Sequence, residues 1–164
     1  MSSVGYAVGT SAAVALTAAT ARTTLMVMTP AQFGMCLTDF SIGFDGHDAT
    51  QTPVFWEIVR STNATNSTPG TNNTSESTNI VQVRGRSIAV GFTAFSAAAA
   101  SFEPTVLTRL YSNTLTPNGG LLEYDYPLGR EFECDVSAGL GIRLTTPTGA
   151  AAVNARCSVV FERL

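Results

Sequence analysis

The alternation of apolar and polar side chains between Met35 and Arg60 constrains this chain more than any other feature. In Met35–Phe44, Thr38, Phe40, Ile42 and Phe44 share one face, and Asp39, Ser41, Gly43 and the following Asp45 share the other. A period of two marks a β-strand with one wet face, because successive side chains of a strand point to opposite sides. After a polar connection, Val54–Arg60 puts Val54, Trp56 and Ile58 on one face and Phe55, Glu57 and Val59 on the other. Apart from Glu57 this strand is apolar on both sides, which predicts a place inside a sheet with its second face partly covered. Asp45-Gly46 and Pro53 supply turn chemistry between the two strands. The connection exceeds a two-residue hairpin and is expected to project as a loop.

The rest of the chain repeats this pattern. Further strands are predicted at Arg22–Met28, Ile80–Val83, Ser87–Phe92, Pro104–Ser112, Leu121–Tyr126, Glu131–Val136, Ala138–Thr145 and Ala152–Glu162. In Pro104–Ser112, Val106, Thr108 and Leu110 alternate with Leu107, Arg109 and Tyr111. In the last strand Val153, Ala155, Cys157, Val159 and Phe161 form one face. Thr29-Pro30, Thr116-Pro117-Asn118-Gly119-Gly120, Pro127-Leu128-Gly129 and Thr146-Pro147-Thr148-Gly149 punctuate the strands. Ala94–Phe102 reads as irregular, with one short helical turn. Such spacing with almost no helix predicts an all-β fold: an antiparallel, jelly-roll-like β-sandwich of about eight strands. An immunoglobulin-like sandwich is the second choice, because the Cys–Trp–Cys spacing of those domains is missing.

At 164 residues the chain is expected to form one domain, large enough to bury about 70% of its extended-chain surface. Residues 1–21 hold Ala, Thr, Ser, Gly and Val and no charge. They are read as an extended N-terminal arm ordered by contact with a neighbour, and residues 22–164 as the sandwich. Within it, 61–79 has no apolar side chain larger than alanine, which predicts a long exposed polar loop. Asn63 and Asn72 head Asn-x-Ser/Thr triplets there, which matter only in a secretory pathway. No basic residue precedes an apolar block at the start, and no run of 18 apolar residues occurs. Neither a secretory signal nor a membrane span is therefore expected.

Charged residues make up 13% of the chain, against about 25% in a typical soluble domain. Either the surface is neutral and polar or much of it is buried in an assembly, since interface cores are depleted in charge. All nine basic residues are arginines. Arginine suits interfaces because its planar fork pairs bidentately with carboxylates; a high-GC coding sequence is the competing explanation. Only Arg84-Gly85-Arg86 clusters two of them, and the net charge is −3, so no nucleic-acid partner is expected.

Catalytic, metal and cofactor sites are not expected. Cys36, Cys134 and Cys157 are widely spaced and show no zinc pattern. Buried free thiols are the default, and one disulfide with a leftover thiol remains open. His47 is the single histidine, too few for a cupin-type metal site or a triad. Asp45 and Asp48 fall short of the six to eight oxygens of a calcium shell. Glu131 and Glu133 lie on one face of a predicted strand, which suits a wet face better than a glycosidase pair; Arg130 or Arg143 could pair with them.

Three segments carry a resemblance. They are Ser41-Ile42-Gly43-Phe44-Asp45-Gly46 with Pro53-Val54-Phe55-Trp56-Glu57-Ile58-Val59-Arg60, then Thr116-Pro117-Asn118-Gly119-Gly120, then Tyr126-Pro127-Leu128-Gly129-Arg130-Glu131. Over roughly residues 20–164 the pattern resembles the jelly-roll decoration (cement, or minor capsid) proteins of tailed-phage heads. The resemblance implies a structural virion subunit, assembled in the host cytoplasm. It would bind the major capsid protein on the outer capsid surface and itself as a homo-oligomer, often a trimer. The expected interface residues are Phe55, Val59, Arg84 and Arg86. The alternative is a receptor- or carbohydrate-binding module such as a tail-fibre head, for which Tyr111, Tyr124 and Tyr126 are the candidates.

Overall fold

The computed structural model describes residues 4–45, 52–62, 66–99, 103–104, 107–118, 120–150 and 152–164. These residues form thirteen strands: β1 (Gly5–Gly9), β2 (Val14–Leu16), β3 (Ala21–Met28), β4 (Met35–Asp45), β5 (Val54–Ser61), β6 (Thr74–Ser75), β7 (Val81–Arg84), β8 (Thr93–Ser96), β9 (Leu107–Leu115), β10 (Leu121–Asp125), β11 (Phe132–Cys134), β12 (Gly139–Thr145) and β13 (Val153–Arg163). One sheet runs β10-β4-β13-β1-β7, with β11 also on β4 and β2 on β13; the other runs β6-β8-β3-β12-β5-β9. Eight of these strands alternate between sheets as a jelly roll does. In chain order β1, β3, β4, β5, β9, β10, β12 and β13, they are arranged 1-8-3-6 in one sheet and 2-7-4-5 in the other. The core lies between the sheets, where Phe40, Ile42, Val159 and Phe161 of one meet Leu25, Ile58, Leu140 and Ile142 of the other.

The alternation expected in β13 is present: Val153, Ala155, Cys157, Val159 and Phe161 are buried. Among the described residues β3, β4, β7 and β9 each carry an extra residue that flips the side chains beyond it. Leu37 faces Phe161 and Asp39 faces Val160, so Thr38 is extra, and the buried set passes from Met35 and Leu37 to Phe40 and Ile42. Thr24 is extra in β3 and Leu110 in β9. Such bulges bend the strand and re-aim its side chains.

The N-terminal arm expected over 1–21 is instead part of the body where it is described. β1 pairs with β13 in register, Tyr6 opposite Phe161 and Val8 opposite Val159. After a short outward loop, β2 continues along the same side of β13. Tyr6, Val8, Val14 and Leu16 are all buried. Small residues between them hide the period-two signal in a composition that reads as low in apolar bulk.

The expected polar loop is also tied down. Glu76 is fully buried, accepting hydrogen bonds from the Ser11 amide and hydroxyl, the Ser96 hydroxyl and the Asn79 amide. Burial alone would raise its pKa, but the donors outweigh it and hold the carboxyl below its ordinary value. Ser87–Phe92 is not a strand. The pairing falls one step later at β8, where irregular structure was expected. On the outer face of the second sheet, Phe95 of β8 and Ala98 just beyond that strand pack with Met26, Met28 and Val59. That accounts for the two apolar faces of β5. Gly141 belongs to this tight packing: a Cβ there would stand 2.2 Å from the Leu25 carbonyl oxygen.

Candidate functional site

Two features open to solvent. The first lies where the core reaches the edges of both sheets. β9 and β10 are edge strands of opposite sheets, joined by the turn after Leu115. The bulge at Leu110 puts Arg109 and Tyr111 on opposite faces, although two residues apart they would ordinarily share one. Arg109 pairs with Glu57 on the outside, while Tyr111 packs on Trp56 with ring centroids 5.4 Å apart. Across the gap, Phe40 lies 5.3 Å from Trp56 and 5.9 Å from both Tyr124 and Tyr126; Tyr124 and Tyr126 meet edge to face at 4.9 Å. With Asn113 and Leu122 these rings line a cleft of about 270 Å³. Trp56 and Phe40 form the buried floor, and Tyr111 and Tyr124, each about half exposed, form the walls. Burial pushes the Tyr126 phenol far above its ordinary pKa, and proximity to Tyr124 and Tyr111 adds to that. The three tyrosines proposed from sequence thus converge around the single tryptophan.

The second feature is the free edge of β7. Val83 is an extra residue between Gln82, opposite Tyr6, and Arg84, opposite Gly5. Val81 and Val83 are each 55% exposed, and Ile88 and Val90 follow at 39% and 40%. The Gln82 side chain ties the turn together: its amide donates to the Arg84 and Arg86 carbonyls, and its oxygen accepts from the Ile88 amide. Arg84 pairs with Glu162, whereas Arg86 is exposed and forms no ion pair with a described residue. Sequence reading missed these aliphatics as surface residues, because alternation shows that a strand has two faces but not that it ends a sheet.

Of the four expected interface residues, Arg84 and Arg86 lie at this edge. Phe55 is half-buried beneath the Arg109 guanidinium, 5.1 Å from its ring centre. Val59 is not at the surface: it is fully buried under Phe95 and Ala98. Arginines expected to serve partners work inside the fold. Arg22 donates to the carbonyls of Ala15, Ala97 and Ala98, and Arg163 sits 3.7 Å over the Phe33 ring. Arg143, a candidate partner of Glu131 and Glu133, pairs with Glu57 instead.

His47 and Asp48 lie outside the described residues, and Asp45 is exposed at the end of β4. Glu131 and Glu133 open onto separate surface clefts. Among the described residues no three His, Cys, Asp or Glu side chains group as metal ligands. No helix there is long and apolar enough to cross a membrane. All three cysteines are buried and free, with burial pushing the thiols of Cys134 to about 11 and Cys157 to about 12.

Asp39 and Asp125 face one another across β4 and β10. Burial, followed by the hydrogen bond to and charge of Asp125, pushes the Asp39 carboxyl from 3.8 up to about 6. A raised folded-state pKa means that the folded chain holds this proton more tightly than the unfolded one. The contribution to stability is fully present below about pH 4 and is lost as pH rises through about 6. Asp125→Asn is therefore expected to raise the melting temperature at pH 7 and leave it nearly unchanged at pH 4. Paired thermal scans would show this, and an equal effect at both pH values would count against a shared proton.

No protein-family model matches this sequence, and no curated protein matches it.

Proposed function

We propose that this chain is a structural virion protein that decorates and stabilises the outer surface of a phage head, bound to the major capsid protein and to copies of itself, as a trimer. The β7 edge carries this reading. Four exposed aliphatic residues lie within ten positions on an edge strand and the segment after it, beside Arg84 and Arg86. Solitary proteins blunt such edges with charge or cover, because an unpaired apolar edge invites another chain. A repeated shell suits it: weak contacts gain strength when many copies engage together. The low charge content and the resemblance to head decoration proteins point the same way.

The test is co-sedimentation with phage heads lacking this protein. Saturable binding in multiples of three is expected. The variant Val81→Asp/Val83→Asp should lose binding by about tenfold or more while melting at an unchanged temperature, since both side chains are exposed. Absence of saturable binding, or full binding by a folded variant, would overturn the reading.

A further inference from the structure

We propose that the aromatic cleft between β9 and β10 is a binding site for one neutral pyranose ring of a glycan. The residues that would hold it are Tyr111, Tyr124 and Tyr126 over a Trp56 floor, with Asn113 at the rim. The inference stands apart from head decoration, since it uses the opposite edge of the β10-β4-β13-β1-β7 sheet from β7.

Several properties of the cleft select this ligand. Its volume of about 270 Å³ falls below the range of about 300–1,000 Å³ typical of sites for drug-sized molecules, so it admits a single ring. No ionised side chain lines it. A phosphate or a carboxylate would have no partner of opposite charge, and binding would strip its water without return; a cation would have the ring faces alone to hold it and would leave the phenol and amide groups at the rim without use. A purely apolar ligand would pack on the rings and Leu122 but leave the three phenols and Asn113 without partners. The hydroxyls of Tyr111, Tyr124 and Tyr126 make no hydrogen bond with a described residue, so the fold leaves them unused. Asn113 uses its oxygen to accept from the Thr114 amide, which leaves its NH₂ group as a donor at the rim.

A pyranose matches both halves of this surface. Its axial C–H groups form a weakly positive apolar face that suits the negative face of an aromatic ring. Its hydroxyls around the edge suit phenol and amide groups. Tyr111 and Tyr124 rise from edge strands of different sheets, and a tyrosine, with only two side-chain torsions to fix its ring, presents surface with little side-chain entropy to lose.

Trp56 is the single tryptophan and forms the floor, so its fluorescence reports on occupancy directly. The experiment titrates the full chain with methyl glucoside, methyl galactoside, methyl mannoside and N-acetylglucosamine, with glucuronate and cyclohexanol as controls. At least one neutral sugar should shift Trp56 emission saturably, with a Kd in the millimolar range, while glucuronate and cyclohexanol do not. Tyr111→Ala and Asn113→Ala should each weaken it by about tenfold. Should Tyr111→Ala fail to fold, Tyr111→Phe keeps the ring and loses the hydroxyl, and a several-fold weakening is expected. The proposal is overturned if no neutral sugar perturbs Trp56, or if cyclohexanol acts as well as a sugar, which would mark a socket for a partner's apolar side chain. An undiminished response in the folded Tyr111 variant would overturn it equally.

Discussion

A chain lacking residues 1–9 is expected not to fold cooperatively. β1 lies between β13 and β7, so its removal strips the hydrogen-bonding partner from one side of the central strand and detaches β7 entirely. It also uncovers Phe161, on which the Tyr6 ring stacks at 5.8 Å, and Phe92, which meets Tyr6 edge-on at 5.4 Å. A milder version isolates the packing. Tyr6→Ala should cost about 3–5 kcal/mol, as large aromatic-to-alanine changes in cores do. For a chain of this length that lowers the melting temperature by roughly 6–20 °C. Domains are stable by only about 5–15 kcal/mol, so loss of the whole strand exceeds what the remainder can bear. Urea and thermal unfolding measure both variants. A truncated chain that melts like the full one would show that β1 is an appendage.

Glu57 supplies the second large effect. Its carboxylate is 1% exposed, held by Arg143 at 2.7 Å and by Arg109. The two arginines are unequal: Arg109 is 54% exposed and Arg143 22%. Arg109→Ala alone should cost no more than about 1 kcal/mol, the usual worth of a half-solvated pair, because Arg143 remains. Removing both leaves a buried charge without a partner and should cost about 3–5 kcal/mol. The double loss thus exceeds the sum of the single ones, which a double-mutant cycle detects as coupling. Glu57→Leu should be milder than the double arginine variant, since Arg109 can turn to water and leucine fits beside Val59. Additive single effects, or a Glu57→Leu variant less stable than the double arginine one, would contradict this assignment.

The sandwich was legible because β4, β5, β12 and β13 combine period-two alternation with Pro- and Gly-marked turns. β1 and β2 were not, since alanine and glycine between Tyr6, Val8, Val14 and Leu16 dilute the contrast. Glu76 was hidden in a Ser/Thr/Asn tract where nothing local indicates that Ser11 and Ser96 would converge on it. Tyr111, Tyr124 and Tyr126 stand out in the sequence because the face of Trp56 reads as buried, but only the fold brings them together with Trp56 around one cleft. Val59 went wrong for the opposite reason: an apolar outer face suggests a partner, and here the partner is the chain's own 94–98 segment.

By itself, the sequence determined the strand class, most strand positions and the buried face of β13, because side-chain alternation and turn residues act locally. Tertiary structure alone decided which strands stand at the edges, which arginine meets which carboxylate, and where each bulge falls. Those depend on pairings between residues far apart in the chain. The extra residue at Leu110 shows the difference most directly. It is invisible in Leu107–Leu115, yet it separates Arg109 from Tyr111 and turns one of them to Glu57 and the other to the cleft.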